Sequence, residues 1–138
     1  MKAVMQFIDY KVLETRFKLN PAIESEEDLE PTFGFQFKEF EENKALIKVS
    51  IELGDIEVSE TSMYVFAEIA GIFQIESEEE IDEVLKKELF QVNSVAILYP
   101  YLRSLVSDLS SKGSNEGILL PTVNVRQLMS QEIEKQNN

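Results

Sequence analysis

The chain has 138 residues, 43% of them hydrophobic, which is close to the usual size of one domain and enough for a core that needs no metal or disulfide. Its 26 Asp and Glu against 13 Lys and Arg leave a net charge of -13, which argues against nucleic acid and anionic lipid as partners. Cys and His are both absent, and with them go thiol nucleophiles, His-based triads, imidazole bases and Cys or His zinc sites. The first ten residues lack the pattern of a signal peptide, and no window approaches about 18 consecutive apolar residues. The expectation is one soluble cytoplasmic domain spanning residues 1–138, without membrane insertion.

In chain order, Val4 to Leu19 reads as a long, bent strand that ends at the turn signal Asn20-Pro21. Thr32 to Phe40 sets Phe33, Phe35 and Phe37 on one strand face, and Glu41-Glu42-Asn43-Lys44 turns the chain back. The next strand, Ala45 to Leu53, alternates cleanly, with Ala45, Ile47, Val49, Ile51 and Leu53 on one side. A further strand is expected from Thr61 to about Ala70.

Ser77 and Glu80 have the spacing of a capping box, ahead of Ile81, Val84, Leu85 and Leu89 at helical intervals. A second helix is expected from a Ser94 cap, with Val95, Leu98, Leu102, Leu105 and Leu109 in one stripe, a bend at Pro100 and an end at Gly113. Asn124 and Gln127 open a last helix whose stripe is Val125, Leu128, Met129 and Ile133. Strands first and helices last describe an α+β protein: a four-stranded antiparallel sheet with helices packed on one side.

Two acidic clusters, Glu24 to Glu30 and Glu76 to Glu83, lack the spacing and central glycine of a calcium loop and read as solvated charge. A paired-carboxylate hydrolase would need a buried acid, and neither cluster lies in an apolar stretch. The Phe33, Phe35 and Phe37 row is either core or the floor of a groove for extended apolar peptide. Met63 and Met129 have the adaptable side chains that suit the second reading.

Ala70-Gly71-Ile72-Phe73, then Tyr99-Pro100-Tyr101-Leu102-Arg103, Ser111-Lys112-Gly113 and Pro121-Thr122-Val123-Asn124 resemble, in order, the SecB protein-export chaperone family. The resemblance implies a dimer of dimers, a homotetramer that works as an ATP-independent holdase with no cofactor. Its partners would be unfolded or precursor polypeptides, and in export members the SecA translocase motor. Carried onto this chain, the client groove implied is Phe33, Phe35, Phe37, Met63, Val65, Tyr101, Leu128, Met129 and Ile133, and Phe35→Asp is expected to abolish client binding in a folded protein. The family's motor-contacting acids fall here in the region of Thr15, Lys18 and Phe66, and the chain stops at Asn138, short of the family's motor-docking tail. Both departures point away from motor delivery. A scaffold, or a dedicated chaperone of one partner such as an antitoxin, stands as the alternative.

Overall fold

The computed structural model describes residues 3–24, 29–114, 116–121 and 123–137, with only the backbone course for 114 and 133–137. Alternating side chains build four antiparallel strands: β1 (Val4–Leu19), β2 (Thr32–Glu41), β3 (Lys44–Leu53) and β4 (Met63–Glu76). They lie in the order β1-β4-β3-β2. Strands β2, β3 and β4 therefore form a meander, and β1 closes on the far side of β4 in Greek-key fashion.

The expected turn between β2 and β3 is present, with Glu41 opposite Lys44. Asn43 supplies its left-handed residue, φ 60°, a conformation that Asn tolerates better than most side chains. The register sets Phe33, Phe35 and Phe37 opposite Ile51, Val49 and Ile47. Strand β1 carries two bulges, where the pairing with β4 skips Ile8 and Leu13. Each bulge resets the alternation, so Phe7, Tyr10, Val12 and Phe17 all oppose inward-facing positions of β4.

Strand β4 runs to Glu76, well past the expected end near Ala70. Gly71 is no strand breaker; a Cβ there would lie 2.8 Å from Leu98 Cδ2 and 2.7 Å from Phe73 Cε2. The glycine lets a helix lie against the strand.

That helix is long. Helix α1 (Glu83–Glu88), a π-helical turn (Leu89–Asn93) and α2 (Ser94–Ser110) follow one another without a break. The Ser77 capping box does not form: Ser77 Oγ accepts from the Glu79 N–H in a turn, and Asp82 is the residue that caps α1, through the Val84 N–H. Ser94 does not cap α2 either, because it lies inside the continuous helix, fully buried, and its hydroxyl donates to the Phe90 carbonyl. Helix α2 continues through Pro100, which sits on the exposed side with Ala96, where water can meet the carbonyl left without a helical donor. Gly113, with φ 73°, follows its end. The last helix, α3 (Val125–Asn137), starts as expected, with Asn124 Oδ1 accepting from the Gln127 N–H at 3.1 Å.

Val95, Leu98, Leu102 and Val106 form the buried stripe of α2, which packs mainly on β4, then β3, and lightly on β1. The helices thus cover one face of the sheet. Among the described residues no helix is long and apolar enough to cross a membrane.

Candidate functional site

Strands β2 and β3 each send an apolar row to the helical face, but the rows are covered unequally. Every inward residue of β3, Ala45 to Leu53, is at most 2% exposed. On β2 only Phe35 is buried, at 8%, while Phe33 and Phe37 are half-buried. The cause is position: β2 is the sheet edge, and α2 leans on the two strands next to it.

A wall stands beside the open row. The Phe33 ring lies 6.1 Å from Phe35 and 6.2 Å from Tyr99 of α2. Tyr99 in turn donates its hydroxyl to the Pro121 carbonyl at 2.7 Å, and burial raises its pKa, keeping the donor proton in place. One helical turn on, Arg103 Nε donates to the Leu120 carbonyl at 2.5 Å. Further on, Ser110 Oγ accepts from the Ile118 N–H at 2.7 Å. Three side chains of α2 therefore fasten the segment Ile118 to Pro121, which leads into α3. Met129 of α3 is fully buried and Leu128 half-buried. Arg126 forms an ion pair with Glu88.

The nine candidate residues do not form one surface. Phe35, Val65 and Met129 belong to the buried core, with Phe33, Phe37, Met63 and Leu128 packed half-exposed against it. Tyr101 is elsewhere. Two residues beyond Tyr99, it points to the other side of the helix, 4.4 Å from Tyr10 and 5.8 Å from Phe7 of β1. There it lines a separate cavity of about 280 Å³ with Val12 and Leu105. The side chain of Ile133 lies outside the described residues. A charge at Phe35 would strike the core, so Phe33 and Phe37 make the cleaner test of a groove.

Tyr99 is the residue that sequence reasoning left out of the site. The two-residue spacing within Tyr99-Pro100-Tyr101 already places the rings about 200° apart on a helix, which is the signal that separates the wall from Tyr101.

Among the described residues, the carboxylates with a shifted pKa are not those of a general acid. Where the structure moves a carboxylate pKa it moves it down: Glu39 through its bond from Lys86, and Asp55, to about 2, through the Ser59 hydroxyl and the backbone N–H groups of Glu57, Ser59 and Glu60. A general acid would need the opposite shift. Among the described residues no group of three or more Asp, Glu, His or Cys could hold a metal ion; Glu26, Glu27 and Asp28 of the first acidic cluster lie outside the described residues. On the face away from the helices, Arg16 lies 4.9 Å over the Phe66 ring and Lys18 donates to the Ile56 carbonyl. Thr15 does not share that face: it stands opposite the buried Ala67 on the helical side.

Comparison with known proteins agrees with this architecture. The chain is 29% identical to an uncharacterized protein of Methanocaldococcus jannaschii over 99% of its own length and 90% of that protein's. Its fold is similar to that of a SecB-like chaperone of Mycobacterium tuberculosis solved in complex with an antitoxin peptide, with a TM-score of 0.68, 18% identity, and coverage of 87% of this chain and 91% of that one. A protein of unknown function from Streptococcus agalactiae is similar over 88% of this chain and 100% of that one, with a TM-score of 0.53 and 12% identity. The family model for preprotein translocase subunit SecB matches residues 16–136, and the chain belongs to the SecB family.

Proposed function

We propose that this protein is an ATP-independent holdase, a single SecB-like domain that binds extended apolar segments of non-native polypeptides along β2. The observation that carries this reading is the half-open row of Phe33 and Phe37 beside the Tyr99 wall, in a member of a family of chaperones. A groove of aromatic rings with few directional groups favours many apolar sequences over one. The net charge of -13 attracts basic unfolded segments and keeps their complexes in solution, an attraction that salt weakens. Met63, Val65, Leu128 and Met129 back the groove in this reading, and Tyr101 serves a second apolar surface on the β1 side. The working form is a cytoplasmic homotetramer, a dimer of dimers, that needs no cofactor.

The antitoxin peptide bound to the mycobacterial structural relative favours a second reading, a chaperone dedicated to one partner. Delivery to the SecA motor is the weaker extension, because the far face offers Lys18 and Phe66 where export members carry acids.

Light scattering separates the readings. Several chemically unfolded, reduced clients are diluted with and without the protein, in the absence of nucleotide. Suppression of scattering for unrelated clients at near-stoichiometric protein, lost in Phe33→Ser, is the expected result. A folded protein that protects none of them refutes the general holdase and leaves the dedicated one.

A further inference from the structure

Helix α1 has its apolar and charged sides reversed. None of its six residues is buried; Val84 is 75% and Leu85 42% exposed, although their spacing predicted an inward stripe. The half-buried residues are Lys86 and Glu88, and both are ion-paired. Lys86 Nζ lies 2.6 Å from Glu39 Oε2 of β2, and Glu88 meets Arg126 of α3. Glu39 is itself set in place by the Asn43 N–H of the β2–β3 turn, on the same oxygen at 3.0 Å.

As the first six residues of the long helix, α1 buries no side chain of its own, so these charges are what its own side chains contribute to keeping it down. Apolar packing holds the chain only on either side, through Ile81 in front and Leu89 and Phe90 behind. Beneath the Lys86 bridge is a cavity of about 230 Å³, with Phe37, Ala45 and Phe90 among its lining residues. Directly after α1 comes the π-helical turn Leu89–Asn93, the kind of helix irregularity at which bending concentrates.

We propose that α1 is a charge-held latch: the Lys86–Glu39 pair holds it over the Phe37 end of β2, and breaking that pair lets it swing out about the π-helical turn. Opening uncovers Phe37, Ala45 and Phe90 in line with Phe33 and Phe35. The latch stands whether or not β2 binds clients; only its use, lengthening the apolar row, rests on the holdase reading.

Amide hydrogen exchange on the client-free protein tests the latch alone. In low salt, Glu39→Gln and Lys86→Gln are each expected to speed exchange at the hydrogen-bonded amides of residues 86–88 by about fivefold, the upper range for a surface ion pair. Residues 95–109 of α2 serve as the internal control and keep their protection, and Lys86→Arg restores the wild-type rate. Added salt speeds exchange in the wild type and has a smaller effect in the two variants, where only the Glu88–Arg126 pair of α1 is left to screen. Wild-type rates in both variants would overturn the latch. So would equal loosening of α1 and α2, which would make the pair a support of the whole helix. Loss of scattering suppression with the exchange pattern intact would count against the holdase reading and leave the latch standing.

Discussion

Strands β2 and β3 carry the same alternation and meet opposite fates. Ile47, Val49 and Ile51 are at most 1% exposed, whereas two of their three phenylalanine partners across the hairpin remain half-open. Alternation reports which face a residue takes, and coverage depends on what lies above it. Helix α2 covers β3 and β4, so β3 spends its apolar row on stability and β2 keeps part of its own for contact. A sheet edge under a partial roof is a place where apolar side chains can be both ordered and reachable.

Mutations can sharpen this contrast. The largest expected effect is at the roof: Leu98, fully buried against Gly71, should cost about 2–5 kcal/mol when changed to Ala, read as a lower denaturant midpoint. On the open row, Phe33→Ser should cost about 1 kcal/mol, the share of a partly exposed ring, yet reduce client capture severalfold in the scattering assay. Equal loss of stability at the two positions would erase the distinction between roof and row. Tyr99→Phe removes the bond to the Pro121 carbonyl but leaves the ring beside Phe33; about 1 kcal/mol is expected, with faster amide exchange at Ile118 and Leu120 as the mark of a loosened connector.

The smallest effect lies outside the contrast and tests its background. Asp55 has its pKa lowered from 3.8 to about 2 by the Ser59 hydroxyl bond first, then by backbone N–H groups. A lowered carboxylate stabilises the fold above its ordinary value and loses that contribution as pH falls through the folded one. The Ser59 and Glu60 amide shifts should therefore titrate near pH 2, and a midpoint at the ordinary value of 3.8 would show the turn to be loose.

Local signals were legible in the sequence wherever one side chain settles the matter. Asn43 in the hairpin turn, Asn124 at the start of α3 and the alternation of β3 all stand as expected. Signals that depend on a distant neighbour were not. Ala70-Gly71 looks like a strand end until Leu98 is seen to occupy the space a Cβ would fill. Ser94 has a cap residue's chemistry, but it sits in the middle of a helix that had already started, and its hydroxyl turns back to Phe90. Val84 and Leu85 follow a helical stripe, yet Lys86 and Glu88 take the inner side because Glu39 and Arg126 wait there. For the candidate groove, the phenylalanine row could be read from spacing, whereas its division into buried Phe35 and half-open Phe33 and Phe37 depends on the reach of α2.

The two bulges of β1 give that strand spare length. Ile8 and Leu13 have no opposite number on β4, so deleting either one shortens β1 without turning over the residues on its two sides. A one-residue deletion within β3, which pairs without a skip along β4, inverts every side chain beyond it. Single-residue gaps between β1 and the same strand in its relatives are therefore expected to collect at Ile8 and Leu13, while β3 should change length only at its ends.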